Sequence, residues 1–193
     1  MKMKTHYVLM KSMFKEVPYA DRVAKIDKIL ILLGATITDY SPSRYVHAHY
    51  YLKSLEYTSR QIKKLEKKEH WNKMDVFNVG KQFHYLMDFF CAMHQEGGLK
   101  KPAKHVKYER DLHAYMLEKY SENQSKYIPF VFITDNWIQN LHEKYDSSEV
   151  TFENDLTYSV MACKTFMCMV VSKILNEKTV VFEKGKAGLI NAS

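Results

Sequence analysis

Chain breakers are scarce in this sequence: 6 Gly and 4 Pro punctuate 193 residues. A β-sandwich or barrel needs a turn signal every ten residues or so, and this chain does not supply them, so long helices are the expected solution. Hydrophobic residues at 46% and charged residues at 26% are ordinary for a packed core, which excludes wholesale disorder. No Gly/Ser-rich or Pro-rich linker divides the chain and no repeat recurs along it. The expectation is a mainly α, single-domain helical bundle of about five to seven helices over residues 1–193, with a polar tail from about residue 183 and room for a minor two-stranded β element.

The helices are read from apolar recurrence at three and four residues. Pro18 precedes and Gly34 ends an expected helix from about Tyr19 to Leu33, whose core face is Val23, Ile26, Ile29, Leu30 and Leu33. A long pattern from Arg44 to about Trp71 repeats Ala48, Leu52, Leu55, Ser59 and Ile62 on one side. Further patterns cover Val76 to His94, stopping at Gly97-Gly98, and Val106 to Tyr120. Asp135 is placed to open another helix. The most apolar helix runs from about Phe152 to Leu175 and is expected at the centre of the bundle. Tyr127 to Ile133 and Thr179 to Phe182 are β-branched or aromatic and read as short strands.

Cys91, Cys163 and Cys168 are odd in number, lie in apolar stretches and form no CxxC pair, so they read as small buried hydrophobes rather than a disulfide framework. Met1 to Lys15 lacks the apolar run of a secretory leader, and a cytoplasmic location is expected, that of the host if the chain is viral. Leu156 to Leu175 is apolar enough to test as a membrane span, but Lys164 stands at its middle and Lys173 near its end, which favours a buried helix.

The formal net charge of +7 points to an acidic partner. At 100° per residue, Lys53, Tyr57, Arg60, Lys64, Lys67 and Trp71 fall near one line of the second long helix, a stripe of cations interrupted by two aromatics that suits a phosphate backbone with stacked bases. Lys100, Lys101, Lys104, His105, Lys107 and Arg110 form a second basic cluster. The competing reading of both is a solvated lysine-rich face, which Glu56, Glu66 and Glu69 support for the first.

Three constellations bear on chemistry. Arg44 and His49 have the Arg-x4-His spacing with which HEPN-type ribonucleases hold phosphate and transfer a proton, although Tyr45 stands where a polar residue is usual there. His84, Asp88 and Cys91 place three metal-ligand types on one helix face, with His94 one turn on; one helix rarely completes a coordination sphere, and Glu109 and His113 form only a pair, so a surface contact beside a buried Cys is the plainer reading. His47 and His49 point to different sides of a helix. No GxSxG, GxxxxGK[ST], GxGxxG or HExxH occurs.

The sequence therefore reads first as a non-enzymatic basic binding protein that contacts nucleic acid or an acidic protein surface. A small regulator or inhibitor of viral or mobile-element type, holding a protein partner with its tyrosines and methionines, comes second. A metal-independent ribonuclease is third. No metal or cofactor is assigned, and a homo-oligomer is compatible with the composition.

Overall fold

The computed structural model describes residues 1–40, 50–95, 102–119, 134–175, 180–183 and 186–189. Among them the helices are α1 (Met3–Glu16), α2 (Lys25–Ile37), α3 (Tyr51–Lys67), α4 (Lys73–Phe89), α5 (Pro102–Lys119), α6 (Trp137–Asp146) and α7 (Phe152–Leu175). An antiparallel hairpin, β1 (Val180–Glu183) and β2 (Lys186–Leu189), pairs Val180 with Leu189 and Glu183 with Lys186. A mainly α, single-chain bundle is what the apolar recurrence predicts. The expected strand at Tyr127 to Ile133 lies outside the described residues, as do Arg44, His47, His49, Lys100 and Lys101.

The enclosed helix is α4 more than the apolar α7. It packs against α2, α3 and α7, and every residue from Gln82 to Phe90 is buried. Its N-terminus carries a capping box, in which Asn72 Oδ1 accepts from the Asp75 amide at 3.0 Å and Asp75 Oδ2 accepts from the Asn72 amide at 3.1 Å, satisfying two donors that the first turn leaves open. Apolarity alone misplaces the centre because α4 buries Gln82, His84 and Asp88 among its aromatics. Buried polar groups of that kind must be partnered, so they are the places to look for a site.

Three sequence expectations for α2 shift, the first being its core face: Ile26, Ile29 and Leu33, expected inside, are exposed, and α2 buries Ile31, Gly34 and Ala35 instead. The helix expected from Tyr19 begins only at Lys25, because Tyr19 takes a left-handed φ of 62° and the chain turns through Ala20–Arg22 first. That helix also runs past Gly34 to Ile37. Gly34 is not a terminator but a contact point: an added Cβ there would lie 2.2 Å from the Phe77 carbonyl oxygen, and one at Gly80 would lie 2.2 Å from that of Ile31. The two glycines let α2 and α4 touch backbone to backbone.

The helix α1 carries no clear apolar signal in the sequence, since its buried face mixes Leu9, Met10, Met13 and Phe14 with Thr5 and His6. It is tied to α7 by an ion pair between Lys164 Nζ and Glu16 Oε2 at 3.4 Å, with both side chains almost wholly enclosed. The lysine at the middle of the apolar helix is thus paired inside the protein. That helix is long and apolar enough to cross a membrane, and 56% of its most apolar window is buried here.

A candidate metal centre around Asp88

Asp88 and His84 stand one turn apart on α4 and both are fully buried. His84 Nε2 lies 3.1 Å from Asp88 Oδ2 and 3.3 Å from Asp39 Oδ1. The close α2–α4 contact is what delivers Asp39, which sits on the turn Thr38–Tyr40 directly after α2. From α1, His6 brings Nε2 to 3.2 Å from Asp88 Oδ1, with its ring edge-on to that of His84 at 4.1 Å.

On the other side of Asp88, the chain leaves α4 and turns through Ala92–His94, so His94 points back with Nδ1 3.7 Å from Asp88 Oδ2. Helix α5 adds His105 and Glu109, again one turn apart: Glu109 Oε1 is 3.0 Å from His105 Nε2 and 3.1 Å from His94 Nε2. The Met1 amine is buried between the groups, hydrogen-bonded to Asp88, 2.8 Å from His94 Nε2 and 3.1 Å from Glu109 Oε1. Asp88 therefore joins two triads, His6/Asp39/His84 and His94/His105/Glu109, each with ligand atoms within 4.8 Å of one another.

The electrostatics follow from burial and pairing. Burial alone would raise the Asp88 carboxyl, but His94, the Met1 amine, His84 and His6 hold it well below the usual carboxylate range. Glu109 is likewise held low, burial being outweighed by its hydrogen bonds from His105 and His94. Burial works against charge on His84, yet Asp88 and Asp39 raise it to about 9. His6 goes the other way, to about 4, through burial and repulsion from His84. The Met1 amine is pushed up to about 12, since the carboxylates of Asp88 and Glu109 more than offset its burial.

These residues fit zinc. Imidazoles and carboxylates are its hard-to-borderline ligands, and donors bonded at about 2.0–2.2 Å with tetrahedral angles stand about 3.4 Å apart, close to the separations here. His84 is oriented for it: Nδ1 lies 2.9 Å from the Ala35 carbonyl, which can only accept, so Nδ1 is held as a donor and Nε2 is the atom that faces the cluster and would give up its proton to bind a metal. The His6 Nδ1 has no hydrogen-bond partner among the described residues. Three carboxylates, Asp39, Asp88 and Glu109, supply negative charge that suits a divalent cation.

A buried carboxylate holds the second side of the centre in place. Asp155 on α7 accepts from the Tyr145 hydroxyl at 2.7 Å, the Tyr108 hydroxyl at 3.0 Å and the Ala92 amide at 3.1 Å. It thereby anchors the turn that carries His94 and the residue preceding Glu109. Cys91 is the buried small hydrophobe that the sequence suggests, its thiol pushed far up by burial, whereas the His84/Asp88 contact expected at the surface is fully enclosed. His113 pairs instead with Thr5, at 3.1 Å.

The basic stripe is only half formed. Lys53, Arg60, Lys64 and Lys67 are exposed on α3, with Arg60 paired to Glu56 at 2.7 Å. The two aromatics turn inward: Tyr57 meets Tyr85 edge-on at 5.7 Å, and Trp71 packs on the core with Nε1 donating to the Leu65 carbonyl at 2.9 Å. Both rings are half-buried against the core instead of standing out with the lysines. In the second cluster Lys104 is exposed and Arg110 pairs with Asp111 at 3.0 Å.

His84 and Asp88 were within reach of the sequence, and His105 and Glu109 repeat their spacing of four. That second His-x3-acid pair is the signal that sequence reading passes over. His94 was visible one turn beyond that cluster, whereas His6 and Asp39 carry no local signal, since only tertiary packing brings them in.

Comparison with known proteins overturns the functional reading. A search of curated proteins and a search of solved structures find no significant match. The family model described as zinc dependent phospholipase C matches residues 5–152, a span that contains every member of both triads. A non-enzymatic nucleic-acid or acidic-surface binder, a viral regulator and a metal-independent ribonuclease all give way to that match, and the buried cluster of side chains of metal-ligand type agrees with it. The chain belongs to the zinc-dependent phospholipase C family.

Proposed function

We propose that this chain hydrolyses glycerophospholipids with zinc, breaking the bond between phosphorus and the glycerol oxygen. Water adds its hydroxyl to phosphorus and its proton ends on the glycerol oxygen, which gives diacylglycerol and the phosphorylated headgroup. The observation that carries the reading is the convergence on buried Asp88 of two His/carboxylate triads drawn from α1, α4, α5 and the turns that follow α2 and α4.

Zinc, when bound, supplies Lewis-acid charge that offsets the negative charge of the phosphate. The chain's own groups divide the remaining work by exposure. Asp88 is fully buried and Glu109 is 13% exposed, whereas Asp39 is 35% exposed. All three can hold zinc, Asp88 and Glu109 from enclosed positions, and Asp39, the most exposed of them, is the one that also meets substrate and water and can take the water's proton. The buried imidazoles, packed ring against ring, keep bulk water from the inner side of the centre.

The test is product analysis. Phosphatidylcholine incubated with the zinc-loaded protein should yield diacylglycerol and phosphocholine; release of fatty acid or of free choline would assign a different bond.

A further inference from the structure

Helix α2 exposes the wrong face for a solvated helix. Ile26, Ile29, Leu33 and Ile37, continued by Tyr40, recur at three and four residues along one line, and each is between 42 and 73% exposed. Such a contiguous apolar stripe marks a surface that something else covers. It runs straight into the Thr38–Tyr40 turn, which carries Asp39 into the metal centre.

The neighbouring helix α1 widens the patch and charges its border. Met3 and Tyr7 are exposed beside α2, and an open hollow of about 380 Å³ lined by Met3, Tyr7, Val8, Thr36 and Leu117 extends the apolar surface onto α5. Lys4, Lys11 and Lys15 stand on the outward face of α1, with Lys11 Nζ 5.5 Å from the Tyr7 ring centre.

We infer that this α1–α2 face docks on the surface of an anionic phospholipid bilayer, the apolar stripe entering the headgroup boundary and the lysines meeting acidic headgroups. The inference rests on the phospholipase reading, since a bilayer is where that substrate lies and the stripe ends at the site that would take it. An apolar face bordered by lysines is the pattern of helices that lie in a membrane interface. Each lysine near an acidic lipid surface is worth about fivefold in affinity. A second copy of the chain fits less well, because two molecules of net charge +7 would bring like-charged lysine borders together.

The experiment is cosedimentation of the zinc-loaded chain with vesicles of phosphatidylcholine alone and with about 30 mol% phosphatidylserine, at low and moderate salt. The parent should bind the anionic vesicles with salt-sensitive affinity. Ile29→Asp with Leu33→Asp, both at exposed positions, should lower that affinity by about tenfold or more with an unchanged melting curve, and Lys4→Glu with Lys11→Glu should remove the preference for phosphatidylserine. Hydrolysis of bilayer substrate should fall with binding, while hydrolysis of a short-chain phosphatidylcholine below its micellar concentration stays at the parent's rate. Equal vesicle binding by parent and Ile29→Asp/Leu33→Asp would overturn the proposal, as would a parent dimer that the same variant dissociates. Soluble substrate cleaved without vesicle binding sinks the docking surface alone. Vesicle binding with neither substrate cleaved sinks the phospholipase reading and leaves the surface standing.

Discussion

Gly34 and Gly80 face each other across the α2–α4 contact, and neither has room for a methyl group: a Cβ on Gly80 would sit 2.2 Å from the Ile31 carbonyl oxygen and 2.8 Å from the Gly34 Cα. That approach sets how near the end of α2 comes to α4, and so the 3.3 Å between Asp39 Oδ1 and His84 Nε2. Gly80→Ala should cost about 3 kcal/mol or more, because backbone and not a flexible side chain must move. It should also weaken metal binding, through Asp39. Denaturant unfolding of the metal-free protein, followed by zinc titration, checks both; a stable Gly80→Ala with parent-like zinc affinity would show that the helices slide freely.

The two triads should hold separate ions that share Asp88. Metal analysis of purified protein should find about two zinc per chain, His105→Ala and His84→Ala each losing about one, and Asp88→Asn losing most of both. Full zinc content in Asp88→Asn would mean that the carboxylate is only a hydrogen-bond acceptor.

Asp155 acts on the centre through Ala92 and Tyr108, from a helix that lies almost wholly beyond the family-matched span. Replacement by Ala leaves three donors without an acceptor, at a cost of about 3 kcal/mol or more. Zinc affinity should fall by roughly 10 to 100-fold, since the turn carrying His94 loses its anchor. Tyr145→Phe removes one hydrogen bond and should cost about 1 kcal/mol with zinc affinity little changed. A calorimetric zinc titration in which Asp155→Ala binds like the parent would remove the positioning role.

Stability should carry a pH signature at the start of α4. Burial would raise the Asp75 carboxyl, but Lys68 Nζ at 2.5 Å and the Asn72 amide hold it below its ordinary value. A carboxyl lowered in the folded state stabilises the protein above its unfolded value near 4 and loses that contribution as pH falls through the folded one. Asp75→Asn should therefore be less stable than the parent by about 1 kcal/mol at neutral pH, and the gap should close below about pH 4. A gap that does not change with pH would place the contribution in packing instead.

Sequence periodicity located most of these helices because apolar residues recur along them at three and four, although on α2 that recurring line, Ile26, Ile29 and Leu33, is the exposed face and not the buried one. It failed where function intrudes on packing. Helix α1 spends two buried positions on Thr5 and His6, and α4, the most enclosed helix, is diluted by Gln82, His84 and Asp88. Gly34 reads as a terminator because a glycine needed for close approach and one needed to end a helix look alike in a single sequence. The centre itself was half visible: His84 and Asp88 lie on one helix with His94 one turn on, and the matching His105 and Glu109 need only the same spacing to be recognised, but His6 and Asp39 meet them across sequence separations that no local pattern reports. The lysine stripe on α3 was legible as a surface and misleading as a function, since the aromatics that suggested base stacking are turned into the core.

The central claim is that Asp88 organises a zinc centre that cleaves phospholipid. The direct measurement is phosphocholine release from phosphatidylcholine by the parent and by Asp88→Asn, each stripped with chelator and then titrated with zinc. The account predicts that stripping abolishes release, that zinc restores it in the parent, and that Asp88→Asn stays inactive across the titration while retaining its helical spectrum. Release that survives stripping, or that zinc restores equally in Asp88→Asn, would contradict it.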